Sequence, residues 1–532
     1  MIPMKKQIIS ILLVLMTGST LFSCYEDKST QDTSELLEVI IDVTGTPYPN
    51  GRINFGYMEE LNLSPKVTKN GQEAHADLSY KWSLNFIPGK IDHEVISEER
   101  ELNYTLIRSI EATPYSLWLT VTDNKTTMEY QCFWNLYVES LFGEGILVAY
   151  TKDGTTSDLA LIMDTPISSD YTSGTSIRDG LYEAATGEPM AELIRSASYA
   201  ADAARWNTYQ NVIRGTTASG NIFILSCKDY TTMDSKMIFV PNNFKADKFI
   251  KSRQSVLLNA GAAGIYMMGQ NDKKPVSPLI VLDNGGIDDI QISSDSQDQG
   301  DYPAAVWYHN GKLYRYNNPI MAPFVEAFDH TSITSAFDPT NLPGQECKAA
   351  GLSTDEVTHT LLLKDIASGN YAIYTISREV YGVSPVAAKA KIVIPATHNA
   401  LLNAAVSIFF IADHAVMYVA TADKITPMIF AGGTITVGNA YSVPSGETLT
   451  MAKLFQQGIH VDNRTWLAEN NVTPLPLNNR AVFFATSTGA YTGNVYVVPM
   501  ATNQASSGTL DASRAIKYAG FGKILDIVAQ GK

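Results

Sequence analysis

The chain has 532 residues, of which 54 are acidic and 39 are basic, for a net charge of −15. That surplus of negative charge disfavours nucleic acid or an anionic membrane face as a partner. Hydrophobic residues at 45% and charged ones at 17% suit folded domains long enough to bury sizeable cores, and four scattered cysteines without a CxxC exclude a disulfide framework.

The N-terminus reads as an export address. Lys5 and Lys6 precede the apolar run Ile8–Met16, which is too short to span a bilayer and forms, with them, a secretory signal over residues 1–23. Leu21-Phe22-Ser23-Cys24 resembles a bacterial lipobox, with Phe22 bulkier than the usual residue. The resemblance makes Cys24 the acylated first residue of the mature chain, held by acyl chains at about 0.8 kcal/mol per buried CH2. Removing Lys5 and Lys6 takes the net charge to −17. Glu26 and Asp27, close behind the cysteine, resemble the signal that sends lipoproteins of Bacteroides-like bacteria to the outer face of the outer membrane. Residues 24–35 are polar without an apolar period and read as a flexible tether.

Residues 36–140 predict a small β-sandwich. LLEVIIDV (Leu36–Val43) opens it; LSYKWSL (Leu78–Leu84) puts Leu78, Tyr80, Trp82 and Leu84 on one face; YSLWLTVTDN (Tyr115–Asn124) alternates through Leu117, Leu119 and Val121 before a turn-forming Thr-Asp-Asn. QCFWNLYVES returns as a further strand. A Y-x-W strand and a late L-x-V-x-D strand, here Tyr80, Trp82, Leu119, Val121 and Asp123, resemble the PKD-like, immunoglobulin-fold domains of bacterial surface proteins.

Residues 143–532 continue the all-β reading. GILVAY, LALIM, NIFILS, SKMIFV, AVWYH, HTLLLK, YAIYTI, SIFFIA, AVMYVA, RAVFFAT and NVYVVPM are short, β-branched and aromatic, with turn residues between them. Three hairpins are expected: HTLLLK with YAIYTI, SIFFIA with AVMYVA, and RAVFFAT with NVYVVPM. No pair buries its apolar face alone, and the length suits a β-propeller-like domain of about six to eight blades. Two sandwiches would also hold the strands but would need the segment to split in two, and no linker stands out. Closure would set RAVFFAT, NVYVVPM and the terminal KILDIVAQ against the early GILVAY. Helices are expected within Gly180–Trp206 and Ser445–His460, and polar loops over Val281–Pro303 and Thr340–Glu356.

Taken whole, the lipobox, the PKD-like stretch and EGILVAYTKDGTTSDLALI (Glu144–Ile162) resemble the PKD-like family lipoproteins of Bacteroides-type bacteria. Gly145, Leu147 and Val148 match the family's G-x-L-V-L-S strand, with Ala149-Tyr150 in place of Leu-Ser; Ser157, Asp158 and Leu159 match its S-D-L strand. The resemblance implies SusC-like and SusD-like neighbours in an uptake system and carries no catalytic pattern.

Motifs for chemistry are missing. The eight histidines include no HExxH, no GxSxG elbow occurs, and no cofactor or metal is expected. Asp295, Gln297, Gln299 and Gly300 imitate half a calcium loop, but Val306 stands where a bidentate Glu is required. Asp158 reads as a turn cap, and Cys132 and Cys227 as buried thiols. Sugar sites stack ring faces on exposed aromatics; Trp466 and Tyr302, in polar loop contexts, are the candidates, with Tyr48, Tyr171, Tyr230, Tyr441 and Tyr491 also outside obvious strands. The leading expectation is a surface-exposed, non-enzymatic outer-membrane lipoprotein that binds a glycan or peptide polymer for an adjacent uptake complex. A hydrolase with its site in a propeller channel, and a structural subunit of the complex, remain open.

Overall fold

The computed structural model describes residues 39–73, 76–169, 171, 174–203, 209–233, 246–252, 255–259, 265–269, 278–280, 291–294, 305–317, 324–327, 335–355, 358–377, 387–457 and 474–531. The signal over 1–23, the tether over 24–35 with Cys24, Glu26 and Asp27, the strand expected at Ser235–Val240, and both Tyr302 and Trp466 lie outside them. The chain forms two compact units: one of described residues up to 55 with 60–105 and 111–137, and one of residues 56–59, 106–110 and 138–531.

In the first unit a five-stranded antiparallel sheet runs in the order Arg52–Gly56, Glu129–Glu139, Tyr115–Asp123, Leu78–Asn85, His93–Ser97, beside the pairs Val39–Asp42 with Lys66–Lys69 and Glu60–Leu63 with Leu102–Thr105. Its inner face follows from period-2 alternation: Trp82, Leu84, Leu117, Leu119, Val121, Trp134 and Leu136 are all buried. Trp82 and Trp134 stack at 5.8 Å and 24°, and each indole N–H reaches a backbone carbonyl, of Glu99 and Tyr48 respectively, at 3.1 Å. Asp123 does more than form a turn. Buried itself, it pairs with the buried Lys69 ammonium at 2.8 Å and accepts the Lys125 N–H, and the Lys69 hydrogen bond holds its carboxyl below the usual range.

The second unit contains seven antiparallel sheets among the described residues. The first joins Thr175–Arg178, Asp158–Asp164 and Gly145–Thr151 to the chain's last strand, Lys523–Gln530. The second has Ile194–Ala203, Tyr209–Thr217 and Ile222–Ser226; the third Lys248–Ser252, Ser255–Asn259, Ile265–Gly269 and Pro278–Ile280. The fourth has Ile292–Ser294, Ala305–His309, Lys312–Asn317 and Phe324–Ala327; the fifth Gln345–Ser353, Thr358–Asp365, Tyr371–Ile376 and Ala388–Val393. The sixth is Ser407–Phe410, Val416–Ala420 and Lys424–Ile429, with Thr436–Val437 and Tyr441–Ser442 both on the last of these; the seventh is Thr448–Leu454, Ala481–Gly489, Thr492–Pro499 and Ile516–Phe521. All three expected hairpins form.

Many of these strands are buried on both faces, which is why they read as unbroken apolar runs. In Gly145–Thr151, Ile146, Val148 and Tyr150 pack with Phe483, Val495 and Val497 of the seventh sheet, while Leu147 and Ala149 pack with Ile213, Phe223 and Leu225 of the second. Leu361 and Leu363 likewise face Val306 and Leu313 of the fourth sheet, and Leu362 faces Met417 and Val419 of the sixth. Gly145 opens its strand where a Cβ would collide with the Ile162 carbonyl of the paired strand, so only glycine fits.

Several expectations are corrected here. Within Gly180–Trp206 the only described helix is Leu181–Thr186, bracketed by Gly180 and Gly187 at φ 68 and 91; Ile194–Ala203 is a strand. Ser445–His460 holds the strand Thr448–Leu454, and the expected loops hold the strands Gln345–Ser353 and Ile292–Ser294. A β-bulge explains three of these. The register slips at Arg195, Lys348 and Thr450, adding one residue to the first strand of a sheet. Ile194 and Ala197, or Leu449 and Ala452, therefore share a face at a spacing of three, the signature of a helix. Cys132, Cys227 and Cys347 are all free thiols; Cys227 is buried as expected, whereas Cys132 is half-buried.

The first strand of each sheet touches that of the next: 194–203 with 248–252, then 292–294, 345–353, 407–410 and 448–454. Strand 523–530 touches 194–203 on one side and the strands Ala481–Gly489 and Thr492–Pro499 on the other, while pairing with Gly145–Thr151 from Gly145↔Gln530 to Thr151↔Lys523. Asp526 fastens it: the Ala197 N–H and the Lys453 ammonium donate to its two oxygens at 2.8 and 2.5 Å. Gln530 accepts the Tyr230 hydroxyl and donates to the Gly143 carbonyl. In the seventh sheet the buried carboxylate of Glu447 takes hydrogen bonds from Thr486, Asn494, Tyr496 and Lys517, one or more from each later strand. Burial raises its pKa, but these donors outweigh burial and bring it from 4.5 down to about 2.

Two outcomes follow from these contacts. A chain ending at Gly522 loses Ile524 and Ile527, each worth about 1.5–3 kcal/mol when buried, together with the Asp526 bonds. Its melting temperature should fall by about 10 °C or more in calorimetry; a change within about 2 °C would contradict the dependence on that strand. Glu447→Gln should cost about 1.5–3 kcal/mol at neutral pH. A carboxylate depressed on folding stabilises fully above its ordinary pKa and loses that contribution as pH falls through the folded value. Urea melts of the two proteins should therefore converge between about pH 4.5 and pH 2, and a gap that stays constant across that window would disprove the charged pin.

Candidate functional site

The described buried carboxylates are engaged in holding the fold. Asp158 caps as expected, but across the chain: it accepts the N–H groups of Tyr182 and Glu183 at the start of the short helix, at 2.8 and 3.3 Å, and burial raises its pKa. Glu144 accepts from Ser169 N–H and Gln457. Asp526 and Glu447 are saturated as described above. Among the described residues one serine–histidine hydrogen bond occurs, Ser293 with His359, with Oγ 2.9 Å from Nδ1 and both side chains buried. The serine proton goes to the Gly351 carbonyl at 2.7 Å, so the imidazole donates to Oγ. That polarity is the reverse of a nucleophile with its base. No group of three metal-binding side chains occurs among the described residues.

Among the other aromatics considered, Tyr230 and Tyr441 are core residues, and Tyr491 is 45% exposed. A different group is assembled on the outer face of the first unit's five-stranded sheet. Register places Phe133 opposite Trp118, Trp118 opposite Ser83, and Ser83 opposite Val95. This row crosses four strands, a span of about 14 Å at the usual strand spacing. Phe133 is 54% and Val95 52% exposed. The Trp118 and Phe133 rings lie 5.1 Å apart, tilted 30°, and the His93 ring meets Trp118 edge-on at 5.9 Å. Trp118 is half-buried, with its indole nitrogen shielded from solvent, and Ser83 opposite it is buried. Polar rows flank the platform: Gln131 and Lys81 on one side, Asn135 and His93 on the other, all exposed. The Trp118 indole N–H has no acceptor among the described residues.

Sequence reasoning sought ligand aromatics in loops and passed over this pair. The signal was present in the alternation, since Leu117 and Leu119 point inward and leave Trp118 outward, and Trp134 inward leaves Phe133 outward.

Residues 24–193 match the model of the PKD-like family. The N-terminal unit is thus PKD-like, and Gly145, Leu147, Val148, Ser157, Asp158 and Leu159 fall inside the match, whereas most of the second unit lies beyond it. No curated protein matches the chain. Among solved structures, the computationally designed Ika8 protein is similar at 8% identity over 72% of this chain and 91% of that one, with a TM-score of 0.31. PorZ, a bacterial surface component of the type-IX secretion system of Porphyromonas gingivalis, is similar at 10% identity over 73% of this chain and 48% of its own, with a TM-score of 0.31. A prolyl endopeptidase structure is similar at 10% identity over 72% and 43%, with a TM-score of 0.30. Similarity at this level decides neither fold nor function.

Proposed function

We propose that this protein is a lipid-anchored, non-enzymatic glycan-binding protein of the outer-membrane surface that serves a neighbouring SusC/SusD-like uptake complex. The observation that carries the reading is the platform of Trp118 and Phe133 on the PKD-like sheet. A pyranose has an apolar face and a hydroxyl rim. An aromatic surface formed by the exposed Phe133 ring against the half-buried Trp118, between rows of amide, imidazole and ammonium groups, answers both, because ring stacking and rim hydrogen bonds act together. Apart from Lys81 these flanking groups are uncharged or titratable only at His93, which favours a neutral sugar over an ionic polymer.

The address at the N-terminus supports the reading independently. Lys5, Lys6, the apolar run Ile8–Met16 and Leu21-Phe22-Ser23-Cys24 form a lipoprotein signal, with Glu26 and Asp27 as its surface-export element. The second unit is read as a seven-bladed β-propeller. Its support is the succession of seven sheets, the contacts between their first strands, and the pairing of the last strand with the first sheet.

Binding is tested with the purified mature chain on immobilised polysaccharides and free oligosaccharides. Trp118→Ala and Phe133→Ala should each weaken retention about tenfold, the equivalent of about 1.4 kcal/mol; the melting temperature should stay nearly unchanged for the exposed Phe133 and fall for the half-buried Trp118. Retention of no polysaccharide, or undiminished retention by the double variant, overturns the platform. Lipidation is tested by mass spectrometry of the membrane-extracted protein, which should carry acyl chains on an N-terminal Cys24; cleavage elsewhere or an unmodified Cys24 rejects the anchor.

A further inference from the structure

The bulge in the fifth sheet points to a second binding site, on the other unit and independent of the platform. Bulges re-aim the extra side chain out of the ladder. In the second sheet the extra residue is Arg195, and its guanidinium meets the carboxylate of Asp247, the residue just before the next sheet's first strand. In the fifth sheet the extra residue is again a cation, Lys348. The residue just before the next sheet's first strand is here Val406, which is 47% exposed. Lys348 pairs instead with Glu346 of its own strand, the residue opposite Lys364, and beside them lies a cavity of about 220 Å³, lined by Lys348, Lys364, Tyr371, Asn403, Val406 and Ser407 among others.

The donors in that cavity outnumber the acceptors. Lys348 gives one N–H to Glu346 at 2.5 Å, and Lys364 gives one to Asn403 Oδ1 at 2.9 Å. Each ammonium has three donors. Tyr371 also donates to Asn403 Oδ1, at 2.7 Å, and burial, then the charge of Glu346, raises its pKa so that it stays a donor. With its oxygen doubly engaged, Asn403 offers its amide N–H groups. The Ser407 hydroxyl oxygen already accepts the Ala452 N–H at 3.0 Å, which leaves its own proton to be placed. No carboxylate is among the lining residues; Glu346, paired with Lys348, lies beside them and offsets one of the two ammonium charges.

We infer that this cavity binds a carboxylate-bearing ligand, whose anionic group takes the N–H donors of Lys348 and Lys364 that Glu346 and Asn403 leave over. The volume admits a carboxylate and the carbons that bear it, not a polymer cross-section. Two ligand sources share this chemistry: a uronic acid residue and the free C-terminus of a peptide.

The test titrates the mature chain with sodium galacturonate, with neutral galactose, and with N-acetyl-glycylglycine carrying a free carboxylate. At least one carboxylate probe should bind saturably with a dissociation constant of millimolar order or tighter, and galactose should not. Preference between the two probes identifies the source. Lys348→Gln and Lys364→Gln should each weaken binding about tenfold, and raising salt toward about 1 M should weaken it further. If a variant fails to fold, the wild-type chain still decides. Bound probe should shield Lys348 and Lys364 from acetylation read by mass spectrometry, while Lys312 and Lys424 react as before. Absence of binding by both carboxylate probes at about 10 mM, equal binding of galactose, unchanged affinity in folded variants, or unshielded lysines would each overturn the site.

Discussion

The second unit depends on a strand pairing between its two chain ends. Sheets two to six are each built from one continuous stretch of chain, so their pairing costs only short loops. The first sheet is different, since Gly145–Thr151 would show an open edge if Lys523–Gln530 were elsewhere. The same strand supplies Ile524, Ile527 and Ala529 to the core shared by the first and seventh sheets. Its Asp526 is hydrogen-bonded to the second sheet through Ala197 and to the seventh through Lys453. One strand thereby settles the edge of one sheet, the core between two, and polar bonds to a third. A buried carboxylate in that position is tolerable because every oxygen has a donor, and it ties neighbours whose apolar packing alone would allow sliding.

How much of this was legible in the sequence depended on how each strand is buried. Strands such as Tyr371–Ile376 and Val416–Ala420 sit between two sheets, and their continuous apolar, β-branched and aromatic runs located them to within a residue or two. The first strands of the sheets were harder. They are small-residue or mixed in composition, as in RSASYAADA and ECKAAGLS, because neighbouring first strands approach each other closely. The bulges at Arg195, Lys348 and Thr450 then erase the period of two. An Ala-rich stretch with apolar residues three apart satisfies a helix template as well as a bulged strand does, and long-range pairing decides between them.

The aromatic platform failed to register for the opposite reason. Its strands were identified correctly, and their inward residues defined the core; the outward residues were then treated as surface. An outward Trp or Phe on a one-side-buried sheet carries more information than one in a polar loop, because its backbone is held rigidly and its exposure is the cost of not using a polar residue there. Trp118 and Phe133 are moreover direct cross-strand partners. Two large aromatics opposite each other on a solvent face can be read from sequence once register is known, and register is what alternation alone does not supply.

The two candidate sites divide the chemistry of a polymer between them in a way that the charge of the chain makes sense of. With a net charge of −15, the surface as a whole repels polyanions, but at physiological ionic strength that repulsion is screened beyond about 8 Å. A local pair of ammonium groups therefore decides what enters its own cavity, while the distributed acidity discourages adsorption of long acidic chains along the surface. On the proposed reading, a platform with Lys81 as its one permanently cationic neighbour takes its ligand through ring faces and is nearly indifferent to salt. On the inference drawn for the fifth sheet, a cavity walled by Lys348 and Lys364 takes an anionic group and is sensitive to salt. Salt dependence separates the two modes on the same polymer preparation, which makes it the most economical way to assign any binding to one unit or the other.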